Sequence, residues 1–304
     1  MGKLFPKKKK FSMQKESSVA AILFLAPAVI MLLIWFVYPL LQSFYISFQD
    51  FNYMFKDRAK FVGLDNYVAL FKDPDFFKAF WHSIWFVVLV VPVQSCLALL
   101  LAVLVNSKMK GKGFFRTAYY TPYVLSAVAV ATVFMYFFVK DAVMAKFFAG
   151  FGIPNVTWFA NVKLAMPFIG ILYVWQTVGF YMIYYLSGLQ TIPTQIYEAA
   201  EIDGANKLQT FFHITVPNLK PATFLVVTYG IIQAFQLFDQ IAVITSSNGG
   251  LGSPAGATST LLTYFYTYSF KYYKMGYGSA VAVVLFVIIM IISLIQRKIT
   301  GLED

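Results

Sequence analysis

The residues best placed to do chemistry are amides and phenols set into apolar sequence. Tyr229, Gln233, Gln236 and Gln240 follow one another at i, i+4, i+7 and i+11, one face of a helix. Tyr173, Gln176, Thr177, Phe180 and Tyr184 share a second face by the same spacing, and Tyr123 follows Pro122 in a third stretch. Amides both donate and accept hydrogen bonds, and aromatic rings offer an apolar face. Together they could hold the hydroxyls and the C–H side of a sugar. The same glutamines could instead bond neighbouring helices, and spacing leaves both roles open. Asp239 is the one acid within these stretches, read first as a structural partner for a neighbouring helix, with contact to substrate as the alternative.

No reaction chemistry accompanies them. The sequence contains no G-x-x-x-x-G-K-[ST], no H-E-x-x-H and no G-x-S-x-G. Leu186-Ser-Gly-Leu-Gln190 superficially matches the signature peptide of ABC ATPases, but no phosphate loop stands beside it and the match reads as coincidence. Cys96 is the single cysteine and His82 and His213 are the only histidines, too few for an internal disulfide or a metal cluster. The expectation is a non-enzyme with no metal and no cofactor of its own.

The elements that must position these residues follow from composition. Of 304 residues 60% are apolar and 12% charged, with a mean hydropathy of +0.69; soluble domains average ~45–50% and ~25%. The 33 Phe, 20 Tyr and 5 Trp exclude a disordered chain. A helix needs about 20 apolar residues to cross a bilayer. Six stretches qualify, near 19–41, 83–105, 119–139, 165–188, 222–245 and 276–295. The prediction is an all-α membrane protein with a basic tail (1–18) and a six-span domain (19–304). The first stretch is too long for a signal-peptide core.

Charge sets the direction. The net charge of +11 would point to nucleic acid in a soluble chain. Here the cations cluster at span ends and report orientation, so no nucleic-acid partner is expected. Lys3, Lys7, Lys8, Lys9, Lys10 and Lys15 precede the first span, and Lys108, Lys110, Lys112 and Arg116 fill the 106–118 loop. Both termini are therefore expected in the cytoplasm, with 42–82, 140–164 and 246–275 outside. The 42–82 segment has five cations of its own and is a mild conflict. Tyr264, Tyr266, Tyr268, Tyr272, Tyr273 and Tyr277 crowd the last outer segment, either as an interfacial belt or as a contact surface. Asn155-Val-Thr157 has the form of a glycosylation sequon, too short to weigh.

The segment 191–221 is too polar to span and too patterned for a linker. Pro193 can open a helix through Ile196, Tyr197, Glu198, Ala199, Ala200 and Ile202, and Gly204 suits a left-handed helix end. Asn206 and Gln209 have the spacing of a capping box. A second short helix would then carry Leu208, Phe211 and Phe212 on one face, with Pro217 and Pro221 ending it. The Ala199–Ala200 pair leaves room for another backbone to approach.

Glu198-Ala-Ala-Glu-Ile-Asp-Gly-Ala205, with Phe212, Ile214 and Pro217, resembles the EAA loop of ABC-importer permeases: E-A-A, three residues, G, nine residues, then I-x-L-P. Val216 replaces the usual Leu. Phe24-Leu-Ala-Pro-Ala28, Phe61-Val-Gly-Leu-Asp-Asn-Tyr67, Phe115-Arg116 with Pro122, and Gly188-Leu-Gln190 with Pro193 are similar to the sugar-permease branch, most closely the maltose and glycerol-phosphate type. Ser246–Thr260 departs from the compact T-x-G-G-P of that branch. The resemblance implies the type I ABC importer permease fold in a bacterial plasma (inner) membrane. It also implies a second homologous permease, two ATPase subunits that bind ATP, an extracytoplasmic solute-binding protein and a sugar substrate. Tyr123, Tyr173, Gln176, Thr177, Phe180, Tyr229, Gln233 and Gln236 would then contact substrate, the last group falling where such permeases line a central cavity. Glu198, Ala199, Ala200, Asp203, Gly204, Ala205 and Phe212 would couple to the ATPase. The rival readings are an ion-coupled secondary carrier, an importer of glycerol-phosphate-type solutes and an intramembrane enzyme.

Overall fold

The computed structural model describes residues 22–107, 111–246 and 249–300. The basic tail, Lys108 and Lys110 lie outside the described residues. Among the described residues five helices are each long and apolar enough to cross a membrane: Ile22–Ser47, Pro74–Asn106, Ala165–Thr191, Lys220–Ser246 and Met275–Thr300. A sixth span exists only if Lys112–Val124 and Ala127–Phe137, bent by 99° at Leu125 and Ser126, count as one. We number them spans 1 to 6 in chain order, the bent pair being span 3.

Local chemistry sets the irregularities. Span 2 starts at Pro74, well before residue 83, because the Asp73 side chain caps it by accepting the Asp75 amide at 2.9 Å. In span 1 a π turn, Leu33–Val37, lies against Pro39. Proline lacks an amide hydrogen and crowds the carbonyl four residues back, and a π turn widens the backbone there. Span 5 is two helices, Lys220–Phe235 and Asp239–Ser246, so Gln240 does not continue the helical face of Tyr229, Gln233 and Gln236. Gly179 in span 4 lets span 3 pass close, since a Cβ there would collide with the Tyr119 carbonyl.

The core falls into two apolar clusters stacked along the bundle. One gathers Phe76, Phe86, Trp158, Phe168 and Ile241; the other gathers Ala98, Ala102, Tyr185, Leu189 and Leu219. Between them on spans 2 and 4 sit the buried polar side chains Gln94, Ser95, Gln176 and Thr177. Span 1 lies on the outside of the bundle, with none of its apolar window buried, and packs on span 6, where Phe44 and Phe286 meet edge-on at 6.0 Å.

The segments between spans are structured. Gln49–Asp50 pairs antiparallel with Lys60–Phe61, the small exception to an all-α chain. Asn155 donates to Asp141 at 2.9 Å and accepts its amide at 3.0 Å, so the sequon asparagine staples its own loop. Three of the crowded tyrosines converge on one carboxylate. Asp73 accepts the hydroxyls of Tyr264 at 2.6 Å, Tyr268 at 3.2 Å and Tyr277 at 3.3 Å. Partial burial alone would raise the Asp73 pKa, but these bonds and the Asp75 amide outweigh it and hold the carboxyl below its usual 3.8. Burial and the Asp73 charge push the Tyr264 phenol upward.

Candidate solute cavity and coupling loop

A cavity of about 190 Å³ opens where the breaks of spans 3 and 5 face span 4. Tyr123, Tyr173, Gln176, Thr177, Tyr229, Gln233 and Gln236 line it, together with Tyr181, Leu237, Phe238, Asp239 and Gln240. Phe180 stands behind the wall, stacked on Tyr123 at 4.3 Å and tilted against Tyr229 at 5.5 Å. Tyr184 backs Phe180 at 5.0 Å.

Gln176 organises the site. Its amide nitrogen reaches the Leu125 carbonyl at 3.4 Å, at the bend of span 3. Its oxygen accepts from Gln240 at 3.0 Å, just past the break of span 5. One side chain on span 4 therefore ties down both interrupted helices, where freed backbone groups need partners. Behind it the Thr177 hydroxyl lies 2.8 Å from Gln94 Oε1 on span 2. Some glutamines thus bond neighbouring helices as well as facing the cavity, whereas Gln233 and Gln236 make no such bond among the described residues and line it.

Asp239 hydrogen-bonds to no neighbouring helix among the described residues; it is exposed in the cavity at the first turn of Asp239–Ser246, where a negative charge complements the helix dipole. Tyr181 and Gln94 were not anticipated. Tyr181 precedes Met182 in span 4 outside the chosen stripe, and Gln94 is a single amide in a long apolar run.

The candidate coupling loop, 191–221, lies at the opposite ends of spans 4 and 5. Pro193 is the N-cap of Thr194–Ile202. The helix closes with Asp203 and Gly204 amides on the carbonyls of Ala199 (2.9 Å) and Glu201 (3.1 Å), and the Ala205 amide on Ala200 (2.9 Å). Gly204 has φ +76°. The Asn206–Gln209 capping box forms with bonds of 2.8 and 2.9 Å. Pro217 does not end the second helix: Lys207–Thr210 continues through a π turn, Phe211–Thr215, into Val216–Asn218. Tyr197 and Thr215 join the two arms at 3.3 Å, and Ala200 is buried between them while Ala199 faces out. Glu198 and Asp203 are exposed, and so are the apolar Ile202, Leu208 and Phe212.

Residues 94–300, covering the later part of span 2, spans 3 to 6 and this loop, match the family described as binding-protein-dependent transport system inner membrane component. The chain belongs to that family. It is a multi-pass permease of the inner membrane. The arabinooligosaccharides transport system permease protein AraP of Bacillus subtilis is 35% identical over 94% of this chain and 90% of its own length. The sulfoquinovosyl glycerol transport system permease protein SmoG of Agrobacterium fabrum is 33% identical over 93% and 91%. The crystal structure of a bacterial ABC transporter importing the acidic polysaccharide alginate superposes with a TM-score of 0.81 at 20% identity, covering 97% of this permease and all of that chain. The permease thus has the ABC importer permease fold.

Proposed function

We propose that this permease joins a second homologous permease and two ATPase subunits in an ATP-driven importer of a sugar or oligosaccharide, delivered by an extracytoplasmic binding protein. The cavity carries the reading. Its lining offers amides, phenols and one carboxylate, with no lysine or arginine among the described residues. Such a wall suits the hydroxyls of a neutral solute better than the phosphate of a glycerol-phosphate-type one. Tyr123, Tyr229, Gln233 and Gln236 contact the solute directly, and Gln176 positions the wall. AraP and SmoG, named for arabinooligosaccharides and sulfoquinovosyl glycerol, support the sugar class.

The mechanism follows from the loop. Both termini and the loop face the cytoplasm in this reading, where the ATPases bind ATP and close. The exposed Ile202, Leu208 and Phe212 around the Gly204 turn seat in an ATPase groove, and Glu198 meets a basic residue there. Closure moves the loops together, and the spans rock as rigid bodies. Direction requires that the solute bind the outward and inward states with different affinity. A tagged chain purified from its native membrane tests the reading: it should bring down an ATP-hydrolysing subunit in stoichiometric yield. Recovery of the permease alone, still able to transport, would overturn it.

A further inference from the structure

The first helix of span 3, Lys112–Val124, carries an arginine with a buried nitrogen and nothing to bond it. Arg116 is half-buried; its Nε is shut away from solvent and has no hydrogen-bond partner among the described residues. Buried polar groups are rarely left unpaired, and a guanidinium pairs best with an anionic oxygen. The neighbouring sequence offers none, because residues 106–118 hold four cations and no Asp or Glu.

Arg116 opens on a pocket of about 380 Å³ between spans 3 and 4, with no acid in its lining. The pocket changes character along its length. At one end Thr117 and Tyr120 add hydroxyls beside the guanidinium, and at the other Val124, Leu125 and Ile183 make an apolar floor. Arg116 and Val124 are about 12 Å apart along the helix, at ~1.5 Å per residue. Depth in the membrane follows the same order. The Lys112 ammonium donates to the Asn106 carbonyl at 3.3 Å, so the helix starts beside the end of span 2. Phe115 packs on the cluster that holds Val105, Leu189 and Leu219, at the coupling-loop end of the bundle. Arg116 lies about one turn, ~6 Å, inside that start. From there its side chain can reach the headgroup layer while its stem stays in apolar surroundings.

We propose that this pocket binds an anionic phospholipid from the leaflet on the coupling-loop side, with its phosphate on Arg116 and an acyl chain along Val124, Leu125 and Ile183. A lipid headgroup and a free phosphate share the same oxygen chemistry, and the apolar floor decides for the lipid. A soluble anion would leave that floor bare. A helix of another subunit would have to carry an acid into apolar surroundings to pair with Arg116, an expensive placement, whereas a phospholipid brings charge and chain together. Basic pockets between membrane helices bind anionic headgroups. Leu125 is also the bend of span 3, where its carbonyl meets Gln176, so the lipid packs against a residue that shapes the cavity wall.

The test uses the full chain, purified in detergent with whatever subunits accompany it and stripped of lipid. Its thermal midpoint is followed while dioleoylphosphatidylglycerol, dioleoylphosphatidylcholine or inorganic phosphate is added. Phosphatidylglycerol should raise the midpoint at concentrations roughly tenfold or more below those of the other two. Arg116→Gln should weaken that response roughly tenfold or more, the worth of hydrogen bonds to a charged group, and bring the two lipids level. Ile183→Trp fills the apolar floor and leaves the charge; it should weaken the response as well, and it decides the matter alone if Arg116→Gln fails to fold. A response to inorganic phosphate equal to that of phosphatidylglycerol would assign the pocket to a soluble anion and overturn the proposal. Equal responses to both lipids in the wild type, or a preference untouched by the substitutions, would overturn it too, leaving the pocket to ordinary bilayer lipid or to a partner subunit.

Discussion

The turn at Gly204 offers a perturbation whose size can be worked from geometry alone. Its φ of +76° is left-handed, and nothing lies within 4 Å of a Cβ built there. A substitution therefore meets no steric wall, and its cost is torsional. An L-residue held in that conformation costs about 1–2 kcal/mol, Asn less, and a β-branched residue more. What resists the strain locally is small: the Gly204 and Ala205 amides on Glu201 and Ala200. The loop relaxes rather than holds, and a cost of about 1–2 kcal/mol lowers the competent population roughly five- to thirtyfold. Uptake by the assembled transporter should fall in the order Gly204→Asn, Gly204→Ala, Gly204→Val, with Val abolishing it. The permease should still reach the membrane, because Gly204 packs against neither core cluster. Surface yield, pull-down of the ATPase and uptake would be measured side by side. Full uptake by the Val variant, or equal loss in Asn and Val, would refute the torsional argument.

Other outcomes are as specific. Gln233→Ala with Gln236→Ala should cut solute uptake by at least tenfold while ATPase pull-down is unchanged; normal uptake would return both amides to helix packing. In a Cys96→Ser background, Lys163→Cys should react with an impermeant thiol reagent added outside and Ser107→Cys should not, and the reverse pattern would invert the topology. Asp73 carries a pKa below its ordinary 3.8, so its contribution to stability is present above that value and lost as pH falls through the lower folded pKa. Melting temperatures in detergent should differ most between wild type and Asp73→Asn near neutral pH and converge in acid; a gap that widens in acid would contradict the Tyr264–Asp73 assignment.

Hydropathy made the spans legible because crossing a bilayer demands length and apolarity, both visible locally. It did not reveal the bend at Leu125 and Ser126, since a window average is blind to one break whose backbone is satisfied by Gln176 from 51 residues away. The helical face of Tyr229, Gln233 and Gln236 could be read because Lys220–Phe235 is a continuous helix. Gln240 reached the cavity for a different reason, the restart of the helix at Asp239. Gln94 was invisible because its partner Thr177 is 83 residues distant, and one amide in an apolar run has no period. The loop was the most legible part, since the Gly204 turn and the Asn206 capping box are local chemistry. Its π turn was not, because Pro217 reads as a stop when the widening at Phe211–Thr215 is unknown.

The central claim, that ATP rather than an ion gradient drives a solute through this cavity, is tested most directly in proteoliposomes. The complete complex, with binding protein outside and ATP sealed on the ATPase side, should accumulate the labelled sugar only when ATP is present, and Gln233→Ala with Gln236→Ala should abolish the accumulation. Accumulation driven by a proton or sodium gradient without ATP would contradict it.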